Sequence, residues 1–582
     1  MTPVAQTDDP AIIIVGGGAI ALSTAQELCT LRGHHVVVLW RRDADLARAV
    51  EAIGAAYIAA ARPDSSEALD RAGVRGAITI LALSPDDQLN LHAALLARDA
   101  NPGIRIVLRQ FNRTLGHKIE QNLPNCSVLS LARHSAATYA VAALDPYCLR
   151  GLQFPQPNGP LTGFATRIAE DCAVGGDTVA QAERAIGARV VAVDGATDFS
   201  PEAVLSDGAE LVVFGEVARL EHSVPRRPVI RQYSAAGRRL RRLLSRSWRR
   251  VPRPNPILAR LAVATLTVLA LGAVYFHSVF GSGWLDAVYF VVTTMTTTGY
   301  GDLTPDRGKP SEIIAALLLM LAGIILTGLF IAFGASLLTR IYWIKLQGLR
   351  PVHRRGHIVV CGAGSIGTEV IDLLLALGKQ LVVIELNPDT NIVERAREQH
   401  FDLLTGDASR DTTLDLCNLD AAHSRIALTN VDTLNLEIAL GARARNPTMP
   451  IALRIAEATF AASIARHFEF ETTYSAAALA APAFVGLSRF AGSRGRVSFG
   501  GQDFAIAELG GEEPPVALPP DVISKALGSA IPIAVSRGDS FEIIHDFGSL
   551  RPDDRTLVLI PVAPFKEVRD AFPIATPALQ NT

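Results

Sequence analysis

Residues 81–109 read LALSPDDQLNLHAALLARDANPGIRIVLR, and residues 426–454 read IALTNVDTLNLEIALGARARNPTMPIALR. The two stretches align without a gap at an offset of 345 residues, with 15 identities in 29 positions. Each has an apolar run, a stretch of helical periodicity, an Asn-Pro breaker and a short β-branched run. The pattern predicts strand, helix, turn and strand in both stretches. The 582-residue chain therefore contains two copies of one α/β unit.

The second copy opens with a glycine-rich turn. An apolar strand at 358–361 precedes Gly362, and the turn then reads GAGSIG to Gly367, where a helix is expected. A second apolar strand ends at Glu385, 23 residues beyond Gly362. In dinucleotide-binding folds such glycines let the backbone approach a pyrophosphate at a helix N-terminus, and the acidic residue binds ribose hydroxyls. The expected effector-site residues are Gly362, Gly364, Ser365, Ile366, Gly367, Glu385 and Asp407.

The first copy keeps only the glycine half of this pattern. Its strand is followed by Gly16 and Gly18, and then by Ala21, which is a permitted replacement for the third glycine. Trp40 stands at the acidic position and cannot accept a ribose hydrogen bond. The arginines at 41 and 42 could meet an extra phosphate or could form a solvated surface. We expect a degenerate or differently liganded site at Gly16 and Gly18.

Two long apolar runs lie between the copies. Residues 313–338 carry no charge, and at a rise of about 1.5 Å per residue they exceed a hydrocarbon core of roughly 30 Å. Residues 261–280 also lack Asp, Glu, Lys and Arg. Residues 284–297 are amphipathic and too short to cross, which favours a half-crossing pore helix surrounded by protein. Buried helices of a large soluble protein are the alternative, and the length of the runs argues against them.

Residues 296–302, between the two runs, read TTTGYGD. A potassium ion that leaves water exchanges its hydration shell for rings of backbone carbonyls, and glycines allow successive carbonyls to face one way. Four copies are needed to close such a pore, so the segment also predicts a tetramer. Asp302 either attracts cations at the outer mouth or makes a structural hydrogen bond behind the filter. The expected filter residues are Thr297, Thr298, Gly299, Tyr300, Gly301 and Asp302.

Arginine distribution sets the expected orientation. Residues 226–253 contain 11 arginines, whereas the loop 277–311 holds only Arg307 and Lys309 as basic residues other than His. The positive-inside rule then places both termini in the cytoplasm of a multi-pass protein of the inner (plasma) membrane. A basic stretch beside a span fits anionic membrane lipid. The formal net charge of −2 gives no support to nucleic-acid binding.

These motifs resemble a known family. Residues 356–565 are similar to RCK domains, also called TrkA-N or KTN, in the GAGSIG turn, in Glu385, in the Gly-Asp pair before Ala408 and in the helix that follows. Residues 10–222 resemble the same family, with Ala-Arg in place of the Gly-Asp pair. The TTTGYGD segment resembles the pore signature of prokaryotic potassium channels with two spans. The resemblance implies a ligand-gated potassium channel whose RCK domains bind nucleotides or ions and form rings.

The expected fold is a membrane α-helical potassium pore flanked by two α/β Rossmann-like RCK domains, each with a small α+β C-terminal lobe. Because RCK rings usually contain eight domains, a homotetramer of chains with two copies each would supply the whole ring. The expected boundaries are 10–150 and 151–222 for the first RCK domain and its lobe, 223–256 for a basic juxtamembrane linker, 257–345 for the pore domain (span 257–280, pore helix and filter 284–302, span 312–340), 346–355 for a linker, and 356–484 and 485–570 for the second RCK domain and its lobe.

The expected effector is a nucleotide. Glu385 favours an unphosphorylated ribose, as in NAD(H), ADP or ATP, over NADP. The resemblance also leaves room for a divalent cation, although none of the family's calcium-binding carboxylates has an assured match. No metal site is expected beyond K⁺ in the filter, since the six cysteines include no CxxC pair. Gly323 in the second apolar run is either a gating hinge or a point of close helix packing.

Other functions are less well supported by the sequence. A Rossmann-type oxidoreductase would leave the TTTGYGD segment unexplained, and no catalytic acid-base set stands out, so no enzyme activity is expected. A subunit of a potassium uptake system would need repeated pore segments, and the chain has one. A non-selective cation pore would not require the intact Gly-Tyr-Gly.

Overall fold

The computed structural model describes residues 11–30, 35–110, 113–153, 160–223, 256–281, 283–306, 308–346, 351–470, 472–489, 493–509, 530–537, 540–544 and 554–561. The chain divides into two compact units. One combines Met1–Pro228 with Pro351–Thr582, and the other is Val229–Arg350. The predicted basic linker 223–256 lies almost wholly outside the described residues.

The first α/β copy is a parallel sheet of six strands in the order β3-β2-β1-β4-β5-β6. Its inner strands are continuous apolar runs because helices cover both faces of a parallel sheet. The strands are β1 Ala11–Val15, β2 His35–Trp40, β3 Ala56–Ala59, β4 Ala77–Ala82, β5 Arg105–Arg109 and β6 Cys126–Leu129. The helices are α1 Gly18–Thr30, α2 Ala44–Ala52, α3 Ser66–Arg71, α4 Asp87–Ala100, α5 Arg113–Asn122 and α6 Leu131–Leu144.

A small antiparallel lobe follows, with strand order β7-β8-β10-β9. Its helix α7 begins with a reciprocal capping box between Thr178 and Gln181. The lobe comprises β7 Cys148–Gln153, β8 Leu161–Ile168, α7 Val179–Ile186, β9 Arg189–Val193, β10 Glu210–Glu216 and α8 Val217–His222.

The described residues of the second unit form three helices, α9 Pro256–Phe280, α10 Trp284–Met295 and α11 Pro310–Leu346. Stretches Arg260–Phe280 and Pro310–Ser336 are long and apolar enough to cross a membrane. Only 11% and 17% of their most apolar windows are buried within the chain, so they are not core helices of a soluble fold. Phe276 packs on Phe290 at 4.7 Å between ring centroids and ties α9 to α10.

The second α/β copy repeats the first, with strand order β13-β12-β11-β14-β15-β16, all parallel. The prediction of two Rossmann-like copies flanking two apolar helices is confirmed. The strands are β11 Ile358–Cys361, β12 Leu381–Glu385, β13 Asp402–Thr405, β14 Ser424–Ala427, β15 Ile451–Ile455 and β16 Thr473–Ser475. The helices are α12 Ser365–Ala376, α13 Thr390–Glu398, α14 Asp411–Leu416, α15 Asp432–Arg445, α16 Ala458–Phe468 and α17 Ala476–Arg489.

The second lobe is an antiparallel sheet in the order β17-β18-β21-β19-β20. It packs against the first lobe, and the side chains of both sheets form one core that includes Phe164, Phe214, Phe499 and Phe504. Its strands are β17 Ser493–Phe499, β18 Gln502–Leu509, β19 Ile531–Arg537, β20 Ser540–Ile543 and β21 Arg555–Pro561.

The two copies exchange helices. Helix α6 of the first copy packs on α12 of the second, and helix α17 of the second packs on α1 of the first. Both exchanged helices are rich in alanine, so they approach their partners closely and are buried along most of their length. The Tyr139 hydroxyl donates to the Tyr474 carbonyl oxygen at 2.9 Å across this contact. One chain therefore contains a complete pair of interlocked copies.

Candidate functional site

The TTTGYGD segment has an alternating backbone. Thr297, Gly299 and Gly301 have positive φ angles of 60°, 51° and 77°. Thr298 and Tyr300, which alternate with them, do not have positive φ angles. Alternation of left-handed residues with ordinary ones turns successive peptide groups to the same side of the chain. A β-branched residue such as Thr297 adopts positive φ at a cost of about 1–3 kcal/mol, which is typical of functional segments. The backbone can therefore present a row of carbonyls to an ion.

Helix α10 supports this segment from behind. The Thr298 and Gly299 N–H groups both donate to the Thr293 carbonyl oxygen, at 2.9 and 3.2 Å. The Tyr300 ring stacks on the Tyr289 ring at 6.4 Å between centroids. The Asp302 carboxylate accepts the Leu303 N–H at 3.1 Å, and both roles expected for it stay predictions. The predicted filter residues therefore lie together on one supported loop.

Gly323 on α11 faces the end of α10. A Cβ at this position would lie 2.6 Å from both the Cα atom and the carbonyl oxygen of Met295. Only glycine fits there, because real Cβ atoms essentially never come within 3.0 Å of a heavy atom. By contrast, a Cβ on Gly328 would meet no described atom within 4 Å. The contact favours close packing at Gly323, and the gating hinge stays a prediction.

The glycine turn of the second copy lies at the carboxyl edge of its sheet. Gly362 has a φ of 96°, and a Cβ there would lie 3.1 Å from the backbone of Leu428. A Cβ on Gly367 would overlap the Gly362 carbonyl oxygen, so the first turn of α12 needs glycine. Gly364 is the N-cap of this helix and makes no side-chain cap. The helix N-terminus is therefore open to an anion such as a pyrophosphate.

Glu385 ends β12 beside this turn. Its Oε2 accepts the Ala363 N–H at 2.7 Å, and its main-chain oxygen accepts the Gly406 N–H at 2.9 Å. Asp407 follows, where hydrogen bonds from the Ser409 backbone and hydroxyl and from Arg410 lower the pKa of its carboxyl. The structure thus brings the predicted effector residues of three neighbouring strands together, as dinucleotide sites require.

The first copy differs at the same edge. A Cβ on Gly17 would overlap the indole of Trp40, so this side chain lies directly against the glycine turn. The Arg41 guanidinium carbon lies 5.6 Å from the Trp40 ring centroid. Gly18 has a φ of 75°, as the turn requires. The indole therefore lies where Glu385 lies in the second copy, and the degenerate or differently liganded site at Gly16 and Gly18 stays a prediction.

The repeated Asn residues have a role that sequence reasoning did not assign. The Asn435 amide nitrogen donates to the carbonyl oxygens of Thr429 and Arg454 at 2.9 and 3.0 Å, and its oxygen accepts the Thr429 N–H. Asn90 makes the equivalent bonds to Ser84 and the carbonyl of Arg109. Each Asn joins the carboxyl ends of two sheet strands. The identity of these positions in the repeats was the available signal.

Comparisons with known proteins support this reading of the two kinds of unit. The family model of the TrkA-N domain matches residues 12–124 and 358–472, and the model of an ion channel matches residues 263–340. Probable potassium channel protein 2 of Methanocaldococcus jannaschii is 26% identical over 207 residues, which cover 34% of this chain and 60% of that protein. The voltage-gated potassium channel Kch of Escherichia coli is 23% identical over 207 residues, which cover 34% of this chain and 50% of that protein.

Among solved structures, the GsuK channel bound to NAD is 15% identical with a TM-score of 0.48, over 98% of this chain and 80% of that chain. The chain spans only about half the length of the curated relatives it matches. The family models alone give the arrangement of the matched regions, with a TrkA-N domain on each side of an ion-channel region.

Proposed function

We propose that this chain, which has a TrkA-N domain on each side of an ion-channel region, is the subunit of a potassium-selective channel controlled by a nucleotide. The observation that carries the proposal is the alternating backbone of residues 297–301 between two apolar helices long enough to span a membrane. Backbone carbonyls arranged in rings can replace the hydration shell of K⁺. Residues Thr297 to Gly301 would supply the carbonyls, and Thr297 would add its hydroxyl.

The exposed apolar surface of the span helices supports membrane insertion. Leu266, Leu271, Leu318 and Ile331 are each more than 60% exposed on these helices. Such continuous apolar surface requires lipid or further copies of the chain. Both termini are proposed to lie in the cytoplasm of the inner (plasma) membrane, on the basis of the arginine distribution.

A homotetramer is the proposed assembly, since one filter segment supplies a quarter of each carbonyl ring. The helix exchange supports this stoichiometry because each chain already contributes one interlocked pair of RCK copies. Four chains would supply eight RCK domains for a cytoplasmic ring. Mass measurement of the intact complex in mild detergent tests this assembly, and a dimer would contradict it.

The proposed effector is NAD(H), ADP or ATP at the second copy. The open N-terminus of α12 would receive the phosphates, and Glu385 would bind the ribose hydroxyls. Glu385 holds the Ala363 N–H at 2.7 Å, so ribose binding would change the hydrogen bonding of the glycine turn itself. We infer that this site regulates rather than catalyses, because the nucleotide-type turn is joined to a channel region in one chain.

Potassium flux from liposomes that contain the full chain tests the proposal. The flux should be selective for K⁺ over Na⁺ by reversal potential, and one of NAD⁺, NADH, ADP or ATP should change it. Glu385→Ala should remove this response, whereas Glu398→Ala on exposed α13 should keep it. Non-selective flux would overturn the filter assignment. Selective flux with an unchanged nucleotide response in Glu385→Ala would overturn only the effector site.

A further inference from the structure

A cavity of about 920 Å³ lies at the N-terminus of α6, apart from the glycine turns. It is bounded by α5, β6 and the start of α6 in the first copy, by β7 of the first lobe, and by Arg494 and Leu557 of the second lobe. The first copy and both lobes therefore form its walls. Its size is that of a pocket for a metabolite, since small-molecule sites are about 300–1,000 Å³.

The cavity carries more positive than negative charge. Lys118, Arg133 and Arg494 line it, against one lining carboxylate, Glu120. Glu120 accepts the Val128 N–H at 2.7 Å and is held at the wall by that bond. Arg494 also pairs with Glu508. The lining therefore suits an anionic ligand more than a cationic one.

The start of α6 adds to this charge. Ser130 caps the helix by accepting the Arg133 N–H, and Ser130, Arg133 and His134 all line the cavity. The partial positive charge at the N-terminus of a 14-residue helix favours an anion there. Burial, together with Arg494, Arg150 and Arg133, lowers the pKa of His134 to about 3. The neutral imidazole of His134, at the wall of the cavity, can then donate a hydrogen bond to a ligand or accept one from it.

A buried polar atom in the lining lacks a partner. Gln110 is 3% exposed, lines the cavity, and its Oε1 has no hydrogen-bond partner among the described residues. Buried amide oxygens without a partner are rare, because each costs about 1–3 kcal/mol. A ligand hydroxyl or protonated phosphate oxygen that donates to Gln110 would remove this cost.

The second copy shows which of these residues the fold itself does not require. At the same offset of 345 residues, α5 and α6 align with α16 and α17. Four chemistry-bearing residues of the first copy become small or apolar ones in the second. The aligned pairs are His117 with Ala462, Lys118 with Ser463, Arg133 with Ala478 and His134 with Leu479. The aligned helices of the second copy form without these side chains, so the shared helix scaffold does not require them.

We propose that this cavity is a second effector site, for a small organic anion that carries a phosphate or pyrophosphate group. Lys118 at the mouth and Arg133 inside would bind the phosphate oxygens, with Gln110 and His134 orienting the ligand. The site joins the first copy to the second lobe, since its walls come from both. Charge-assisted hydrogen bonds from Lys and Arg are the interactions that recognise phosphate.

Isothermal titration of the full chain in detergent with inorganic pyrophosphate tests the proposal. The parent protein carries Gly364→Glu, which places a carboxylate at the glycine turn and so repels phosphate from that site. A Cβ there makes only an ordinary contact, 3.9 Å from Asn430 Oδ1. In this background Lys118→Ser with Arg133→Ala, which installs the residues of the second copy, should weaken pyrophosphate binding at least about tenfold. Arg48→Ala, which removes an exposed arginine of the same domain, should stay within about twofold.

The single variant Lys118→Glu covers the case in which the double variant misfolds. Lys118 is exposed, so its substitution should leave the fold intact. It should weaken binding at least about threefold at low salt, and its difference from the parent should shrink at high salt, because salt screens the charge at this position. Pyrophosphate binding that is absent in the parent, or unchanged in the double variant and in Lys118→Glu, would overturn the proposal. Neither result depends on channel activity or on the nucleotide site of the second copy.

Discussion

Gly323→Ala is the most informative perturbation of the channel unit. The added methyl group would lie 2.6 Å from the Cα atom and carbonyl oxygen of Met295, and ordinary contact begins at 3.4 Å. The end of α10 and α11 must then separate by the difference, about 0.8 Å. Met295 is the last residue of α10 and leads directly into the filter segment. The strain therefore falls on the residues that we propose present carbonyls to the ion.

The magnitude follows from a matched comparison with Gly328→Ala. Both substitutions add the same helix propensity, worth up to about 1 kcal/mol, so this contribution cancels between them. Only Gly323→Ala overpacks, which costs about 1–3 kcal/mol. If about 1.4 kcal/mol of this cost destabilises the proposed filter when it holds K⁺, the K⁺ over Na⁺ permeability ratio drops about tenfold. We expect that drop for Gly323→Ala and none for Gly328→Ala.

The assay is the reversal potential of reconstituted channels under a K⁺ and Na⁺ gradient, with open probability recorded in the same experiment. Under the hinge hypothesis, Gly323→Ala changes open probability and leaves selectivity intact. That outcome would refute the packing argument. Equal selectivity and equal thermal stability of the two alanine variants would refute it as well.

Three further predictions concern the unit that contains the two α/β copies. Glu385→Ala should weaken adenine nucleotide binding by about 1.5–3 kcal/mol in calorimetry, because a charged hydrogen-bond acceptor for the ribose is lost. Asp145→Asn should destabilise the unit by about 3–5 kcal/mol in thermal unfolding, because the buried Arg167, whose guanidinium lies 2.6 Å from Asp145, loses its counter-charge. Folding lowers the pKa of His134 from the ordinary value of 6.5 to about 3. The free energy of unfolding therefore decreases as the pH falls from 6.5 toward 3. Between pH 6.5 and 5 the loss should be about 1–2 kcal/mol, and His134→Leu should remove it.

Each of these predictions has a control and a contradicting result. Glu398→Ala should bind nucleotide normally, and unchanged binding in Glu385→Ala would contradict the ribose role. Asp45→Asn breaks an exposed pair and should cost no more than about 0.5 kcal/mol. A similarly small effect of Asp145→Asn would show that the buried pair adds little. An identical pH dependence of unfolding in the parent and in His134→Leu would contradict a neutral buried imidazole.

The sequence by itself determined the elements that depend on neighbours in the chain. The 15 identities between residues 81–109 and 426–454 predicted two α/β copies, and the strands, helices and turns lie where local periodicity placed them. The glycine turn and Glu385 were also predictable, because their spacing follows from one strand, one helix and the next strand. The two apolar helices and the loop between them follow from length and charge.

The tertiary structure decided what depends on contacts between distant parts of the chain. The exchange of α6 and α17 leaves no signal in local periodicity, since an alanine-rich helix packs equally well on its own domain or on the other copy. Trp40 lies against the turn at Gly17, and Gly323 contacts Met295. Both contacts depend on packing at the scale of ångströms, which the composition does not specify. The cavity at α6 takes part of its wall from Arg494 and Leu557, more than 300 residues away in the chain.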